Sequence, residues 1–415
     1  MANESARKTV LTELTEEDVI VGSGALSRLN ETVMRIVPEG AKVLFICDKR
    51  FRQVNTVYDV LTRKFRADKV EVKETSRKFA LSVTAGEDVK AVVCAGGGSA
   101  ADLAKYVAAR YNLPLVCVAL SQATAGYAVP SAMLEGECGY IEVYKVAQPR
   151  FLIADTSLFE NSDTLNAAGF GEVCSRLTAV FDWELSHVLK GEEYLGKKTA
   201  KAVKIIGDLL TAAQNGEADA AKIGNAAIKL SVTMAECGNS RLMCGGDAQL
   251  MHALNLLYKK CGKKVKLQGE NEMMFSCIAM RVYLMLLARP LCQTVSVPDN
   301  NARLDLMSIK LGVNPLRALN KITDCVAYSD LSRMLHILRE YRSELTRKAV
   351  IYEKTLSFAL KLFKRLYNDK GYSYNNYLGA EDLKVCIALA PEMREKFTCF
   401  TLMKQLGLLE GFISR

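Results

Sequence analysis

The sequence predicts an α/β domain over residues 1–160 and an all-helical domain over 161–415, with a cleft between them. Three observations carry this. Short apolar runs alternate with helical patterns as far as Asp155, the mark of a doubly wound parallel sheet with helices on both faces. One of those runs, Ala91–Cys94, passes through Gly96–Gly97–Gly98–Ser99 straight into a helical pattern. From Asp163 onward the apolar spacing is mostly helical.

Taken in order, Asp18–Val21 reads as a short strand and Gly22–Leu26 as a turn into a helix. Lys42–Asp48, KVLFICD, is a buried strand ending in an acid. A helix near Val54–Phe65 leads to a strand at Lys69–Val72, and that to the strand before the glycines. Leu115–Ala119, entered from Pro114, and Phe151–Asp155 complete the strands. Helices are expected at Thr199–Gln214, Asp219–Cys237 and Asn271–Leu287. Ser329–Tyr367, rich in both charge signs, reads as a helix with solvated faces over a packed seam, and Asn368–Tyr377 as a polar loop.

The GGGS turn is the first candidate site. Three glycines let the backbone turn sharply and let a ligand approach its amides, and the helix that follows offers free N–H groups to a phosphate. The competing reading is a tight turn that merely closes a βα unit. Asp48, at the end of its strand, stands where dinucleotide-binding folds place an acid on a ribose hydroxyl; equally, it could cap the next turn.

Composition narrows the field. Half of the 415 residues are hydrophobic and a quarter are charged, as in a globular protein large enough for two cores. The net charge of +9 favours anionic ligands, but no basic stripe interleaved with aromatics points to nucleic acid. The polar start lacks a secretory core, and no apolar run reads as a membrane span, so no membrane is expected. Thirteen scattered cysteines without CxxC pairs read as reduced thiols in the cytoplasm.

Several separated blocks resemble one family. GGGSAADLAKY at Gly96–Tyr106 is similar to the GGGS/T-x-x-D-x-x-K signature of sn-glycerol-1-phosphate dehydrogenase, glycerol dehydrogenase and the iron-containing alcohol dehydrogenases, relatives of dehydroquinate synthase. Ala167–Ser186 resembles the AGFGD…DW block, Gly238–Asn255 the SSRPASG-x-EH-x-x-SH block, and Ala388–Glu410 the R-x-R-Y-T…LG block of the glycerol-1-phosphate enzymes. The blocks fall in family order from about residue 20 to 410, with the weakest match between Ser329 and Tyr367.

The resemblance implies NAD or NADP across the α/β domain. Its pyrophosphate would meet Gly96, Gly97, Gly98 and Ser99, Asp48 would meet the adenosine ribose, and Asp102 and Lys105 would hold the family's Asp and Lys positions. On their own, those last two could be a helix cap and a surface amine. The resemblance also implies a divalent metal that polarises the reacting oxygen, held by one carboxylate and two histidines. The carboxylate position is Glu172, the one ligand position still able to bind a metal. The first histidine falls on Ala248 and the second on Gln268, or on Cys261 in a shifted register. His252 matches the histidine that sits near substrate, so His252 and Glu172 are the catalytic candidates. A rearranged metal site from Glu172, His252 and one of Asp247, Glu270 or Cys261 is the alternative. His187 and His336 read as structural.

A third segment has drifted. The family's PTAPSMDGYASSGAAL aligns on Ala119–Leu134; Gly126, Tyr127 and Ala128 are kept, while Leu120 replaces the cofactor-contacting Thr and Ala125 the Asp near the reacting centre. The reading is a family member that keeps nucleotide binding and has lost or weakened metal-dependent hydride transfer. The alternative is an active NAD(P)-dependent reductase of a small phosphorylated ketone or polyol with a rearranged or absent metal. Lys259, Lys260, Lys263, Lys264 and Lys266 form either a solvated loop or a rim that attracts a small phosphorylated ligand. The sequence leaves a homo-oligomer open.

Overall fold

The structure is a computed structural model that describes residues 14–136, 139–290, 299–320, 322, 326–367 and 378–412. The loop expected at Asn368–Tyr377 lies outside the described residues. The chain divides into two compact units, one of residues 1–136, 141–165 and 219–238, the other of 137–140, 166–218 and 239–415.

The first unit alternates β1 (Val19–Gly22), α1 (Leu29–Met34), β2 (Lys42–Cys47), α2 (Val54–Thr62), β3 (Arg66–Glu71), α3 (Arg77–Ser82), β4 (Val89–Gly96), α4 (Gly98–Tyr111) and β5 (Leu115–Ala119). A hairpin of β6 (Ser131–Glu135) and β7 (Ile141–Lys145) and then β8 (Phe151–Asp155) follow. Six strands form one parallel sheet in the order β1-β8-β5-β4-β2-β3. Alternate residues of the central strands feed two apolar layers. Leu44, Ile46, Val92, Cys94 and Cys117 face one, where Leu103, Ala104 and Val107 of α4 pack. Val43, Phe45, Val93, Val116 and Val118 face the other. β3, with Arg66, Asp68, Lys69 and Glu71, is a charged edge strand that discourages further pairing.

The strand order reverses between β2 and β4. The chain steps from β2 outward to β3, then crosses back to place β4 on the other side of β2. Open α/β sheets bind ligands at the carboxyl ends of strands flanking such a reversal, and here those ends are Asp48 and the Gly96–Ser99 turn.

The antiparallel hairpin β6–β7 was not expected, because its strands are short and only Ser131–Glu135 is mainly buried. The Tyr144 ring of β7 meets Tyr106 of α4 edge-on at 4.9 Å. The sequence puts the domain boundary at 160/161, but α7 (Ala220–Glu236) belongs with the sheet unit. Gly224 leaves room for the Phe159 ring, and the Ala128 N–H donates to Ser231 Oγ at 2.8 Å.

The second unit is helical: α5 (Asp163–Lys190), whose first residues belong to the sheet unit, α6 (Gly196–Gln214), α8 (Gly246–Lys260), α9 (Gln268–Ala288), α10 (Asn300–Leu311), α11 (Pro315–Leu319), α12 (Tyr328–Leu366), α13 (Ala380–Met393) and α14 (Cys399–Gln405). α5 and α9 touch backbone to backbone. A Cβ on Gly269 would strike the Ala168 carbonyl, and one on Gly171 the Gly269 carbonyl. By length and composition α9 could cross a membrane, a feature the sequence reading missed. It is a core helix here: most of it is buried, and it carries the buried charges Glu270 and Glu272.

Candidate functional site

In the sheet unit, Gly96 ends β4 with φ +152°, a conformation L side chains rarely adopt. A Cβ there would also lie 2.9 Å from the Cβ atoms of Asp48 and Ala100. Gly97 is extended and packs under the Phe51 ring, and Gly98 begins α4 against Thr124. No side chain caps α4, so its first amides stay open to an anion. Tyr127 braces the turn from behind, its hydroxyl 3.0 Å from the carbonyls of both Gly96 and Ser121.

Asp102 and Lys105 meet each other at 2.9 Å. Lys105 is not a surface amine: it is 2 % exposed. Its ammonium donates to the carbonyls of Gly126 at 2.9 Å and Ser131 at 2.5 Å. The family lysine therefore ties α4 to the segment carrying Tyr127, and an unpaired buried charge is avoided.

Asp48 is buried, and its carboxylate is already engaged. Arg50 donates to it from Nε at 2.9 and 3.1 Å, from Nη2 at 2.5 Å and from its backbone N–H at 3.1 Å. Sequence reading missed Arg50, although its place two residues after the strand-terminal acid was visible.

In the helical unit, the close approach of α5 and α9 brings together Glu172, Arg176, Gln268 and Glu272. Arg176 sits one turn after Glu172 and was also missed; the i, i+4 spacing is its signal. Its Nη2 lies 3.2 Å from Glu172 and 2.8 Å from Glu272, and its Nη1 donates to the Met243 carbonyl at 3.0 Å. Gln268 donates to the other Glu272 oxygen at 3.0 Å. Burial works against the Arg176 charge, but Glu272, Glu172 and Asp247 outweigh it and hold the guanidinium protonated. Burial raises Glu272 and Asp247 above the usual carboxylate range against the pull of Arg176, since one guanidinium serves several acids.

The remaining candidates are dispersed. Asp247 accepts from Ser276 at 3.1 Å. Glu270 reaches back to the Leu267 N–H at 2.9 Å and starts α9, and Cys261 is exposed. Ala248, buried on α8, offers no donor. His252 accepts at Nε2 from Arg394 at 2.7 Å, and burial with that guanidinium lowers its pKa well below the usual range, so it stays neutral. Below it on α8, Gln249 binds the Arg394 and Lys396 carbonyls and the Thr398 hydroxyl. Asp182 anchors the neighbouring turn. It accepts from Gly246 N–H at 2.7 Å, Cys399 N–H at 2.8 Å and Tyr283 hydroxyl at 2.9 Å, while burial pushes its pKa up to about 6. Among the described residues, no group of three or more His, Cys, Asp or Glu is placed to hold a metal ion.

Residues 20–162 match the family model described as iron-containing alcohol dehydrogenase. Over 255 residues the chain is 32% identical to a glycerol-1-phosphate dehydrogenase [NAD(P)+] of Methanospirillum hungatei, covering 58% of this chain and 68% of that relative. The chain belongs to the glycerol-1-phosphate dehydrogenase family. A second member of that family, from Hyperthermus butylicus, is 30% identical over 259 residues, covering 58% of this chain and 72% of the relative. The fold itself is shared with solved structures along most of the chain. A probable glycerol dehydrogenase from Sinorhizobium meliloti aligns with TM-score 0.53 at 14% identity, covering 95% of this chain and 96% of that one. Maleylacetate reductase from Agrobacterium tumefaciens aligns with TM-score 0.55 at 13% identity over 94% of each chain.

Proposed function

We propose that this member of the family binds a dinucleotide at the Gly96–Ser99 turn and has given up metal-assisted hydride transfer. The observation that carries this is Arg176. The carboxylate in the ligand position, Glu172, faces a buried guanidinium, and so does Glu272. His252 likewise turns its Nε2 to Arg394. Ala248 has no donor atom, and the Gln268 amide donates to Glu272. A divalent metal does not fit this set, because Glu172, Glu272 and His252 already face a fixed positive charge and Ala248 supplies no donor.

The uncapped start of α4 at the sheet's reversal, held by Tyr127 and Lys105, supports retained binding of a dinucleotide pyrophosphate. For a small phosphorylated ligand the helical unit offers Arg394 and Lys396, both partly exposed. The ten described cysteines, nine of them buried, form no disulfide with one another, which supports a reducing, cytoplasmic setting.

The experiment is metal analysis, NADH titration and an NADH-oxidation assay on dihydroxyacetone phosphate and related ketones. The expected result is saturable NADH binding, well below about one divalent metal per chain, and no turnover. Stoichiometric metal or turnover would overturn the loss of chemistry and favour the active reductase. A variant series sharpens the test: Ala248→His with Gln268→His should regain zinc only when Arg176→Ala is added. Regain by the double variant alone would show that Arg176 does not stand in the metal's way.

A further inference from the structure

We infer that the dinucleotide this chain takes carries a phosphate on its adenosine 2′ position, with Arg50 as the receptor for that phosphate and Asp48 as the buttress that holds Arg50. The inference rests on the reading of Gly96–Ser99 as the pyrophosphate site. In a doubly wound sheet the acid at the end of the second strand accepts from the ribose 2′-hydroxyl when that hydroxyl is free, whereas an arginine nearby accommodates a 2′-phosphate.

Asp48 cannot play the first part as it stands. Its side chain is 2 % exposed, and its two oxygens already take four contacts from Arg50. Arg50 is placed for the second part. Its side chain is 70 % exposed, and its Nη2 is 3.5 Å from Ser99 Oγ, so the guanidinium spans from the end of β2 to the first turn of α4. Among the described residues its Nη1 has no partner. A guanidinium fixed along one edge by a carboxylate presents its other edge ready oriented, which lowers the entropy lost on gripping a phosphate.

Charge around it agrees. Asp48 neutralises one positive charge, and the same turn adds exposed Lys49 and Arg52. Lys49 has only a 3.5 Å contact with half-exposed Glu71, and among the described residues Arg52 has no ion pair. The rim is therefore net positive where a 2′-phosphate brings close to two negative charges.

The test is fluorescence titration of the full chain with NADPH and NADH, repeated with 2′,5′-ADP and 5′-ADP as competitors. NADPH should bind about tenfold or more tighter than NADH, and 2′,5′-ADP should compete where 5′-ADP is weak. Arg50→Ala should remove about tenfold in NADPH affinity and leave NADH within about twofold. Arg50→Lys should fall between, since an ammonium keeps the charge and loses the fork. Equal or tighter binding of NADH by the unmodified chain overturns the inference and leaves the pyrophosphate reading standing. So does an Arg50→Ala variant that weakens both cofactors alike. If neither dinucleotide binds, the pyrophosphate reading itself fails and the inference falls with it.

Discussion

A guanidinium between two buried carboxylates is hard to remove, because its loss leaves those charges uncompensated. Arg176→Leu, at a position 2 % exposed, should therefore destabilise the chain by about 3–5 kcal/mol in urea unfolding at pH 8. Its pH dependence has a definite sign. Glu272 and Asp247 already titrate above their usual range through burial, and without Arg176 they should be raised further. An acid whose folded pKa exceeds its unfolded one binds more protons when folded, so its contribution to stability falls as pH rises between the two values. The penalty of Arg176→Leu should thus be largest at pH 8 and shrink toward pH 5. A penalty that is flat with pH would mean the residue acts by packing alone. Of these residues, Glu172 and Ala248 stand in segments that resemble family blocks, and Gln268 was singled out with Cys261 as the alternative. Arg176 was not, since a helix surface has many i+4 neighbours and only the tertiary approach of α9 selects this one.

At the scale of elements, the helical unit depends on how closely α5 and α9 approach, and two glycines set that distance. Gly269→Ala would drive a methyl into the Ala168 carbonyl and to 2.9 Å from the Glu172 N–H. The obstacle is backbone, which cannot rotate away as a side chain can. The helices must part, with a loss above the usual overpacking cost of about 1–3 kcal/mol, measured by urea unfolding of the full chain. An unchanged midpoint would show that the crossing is loose and that the Gln268–Glu272–Arg176 contacts have other support. In the sequence Gly269 simply follows Gln268, but the partner it makes room for, Ala168, is about a hundred residues away. The same limit hid the β6–β7 hairpin and the place of α7. Periodicity along the chain identifies a strand or helix, while its packing partner depends on shapes such as the gap Gly224 leaves for Phe159. The parallel sheet was far more legible, because its central strands are buried on both sides and so read as unbroken apolar runs.

For the whole molecule, the proposed function assigns different responses to added dinucleotide and to metal removal, and thermal unfolding reads both. A ligand that binds only the folded chain stabilises it by mass action, about 2.7 kcal/mol at a hundredfold excess over its dissociation constant. A dinucleotide held at Gly96–Ser99 should raise Tm accordingly. Gly97→Asp should abolish that rise, since a carboxylate would stand beside the phosphates at a position already in contact with Phe51. A structural or catalytic metal would act in the same way, so chelation would lower Tm. Here EDTA should leave Tm unchanged, because Arg176 and Arg394 travel with the chain and cannot be removed by a chelator. A chelator-sensitive Tm, reversed by added zinc or iron, would place a metal among residues that carry fixed positive charges. It would then require Arg176 to release Glu172 in the folded protein, a movement that the Arg176→Leu stability profile would independently expose.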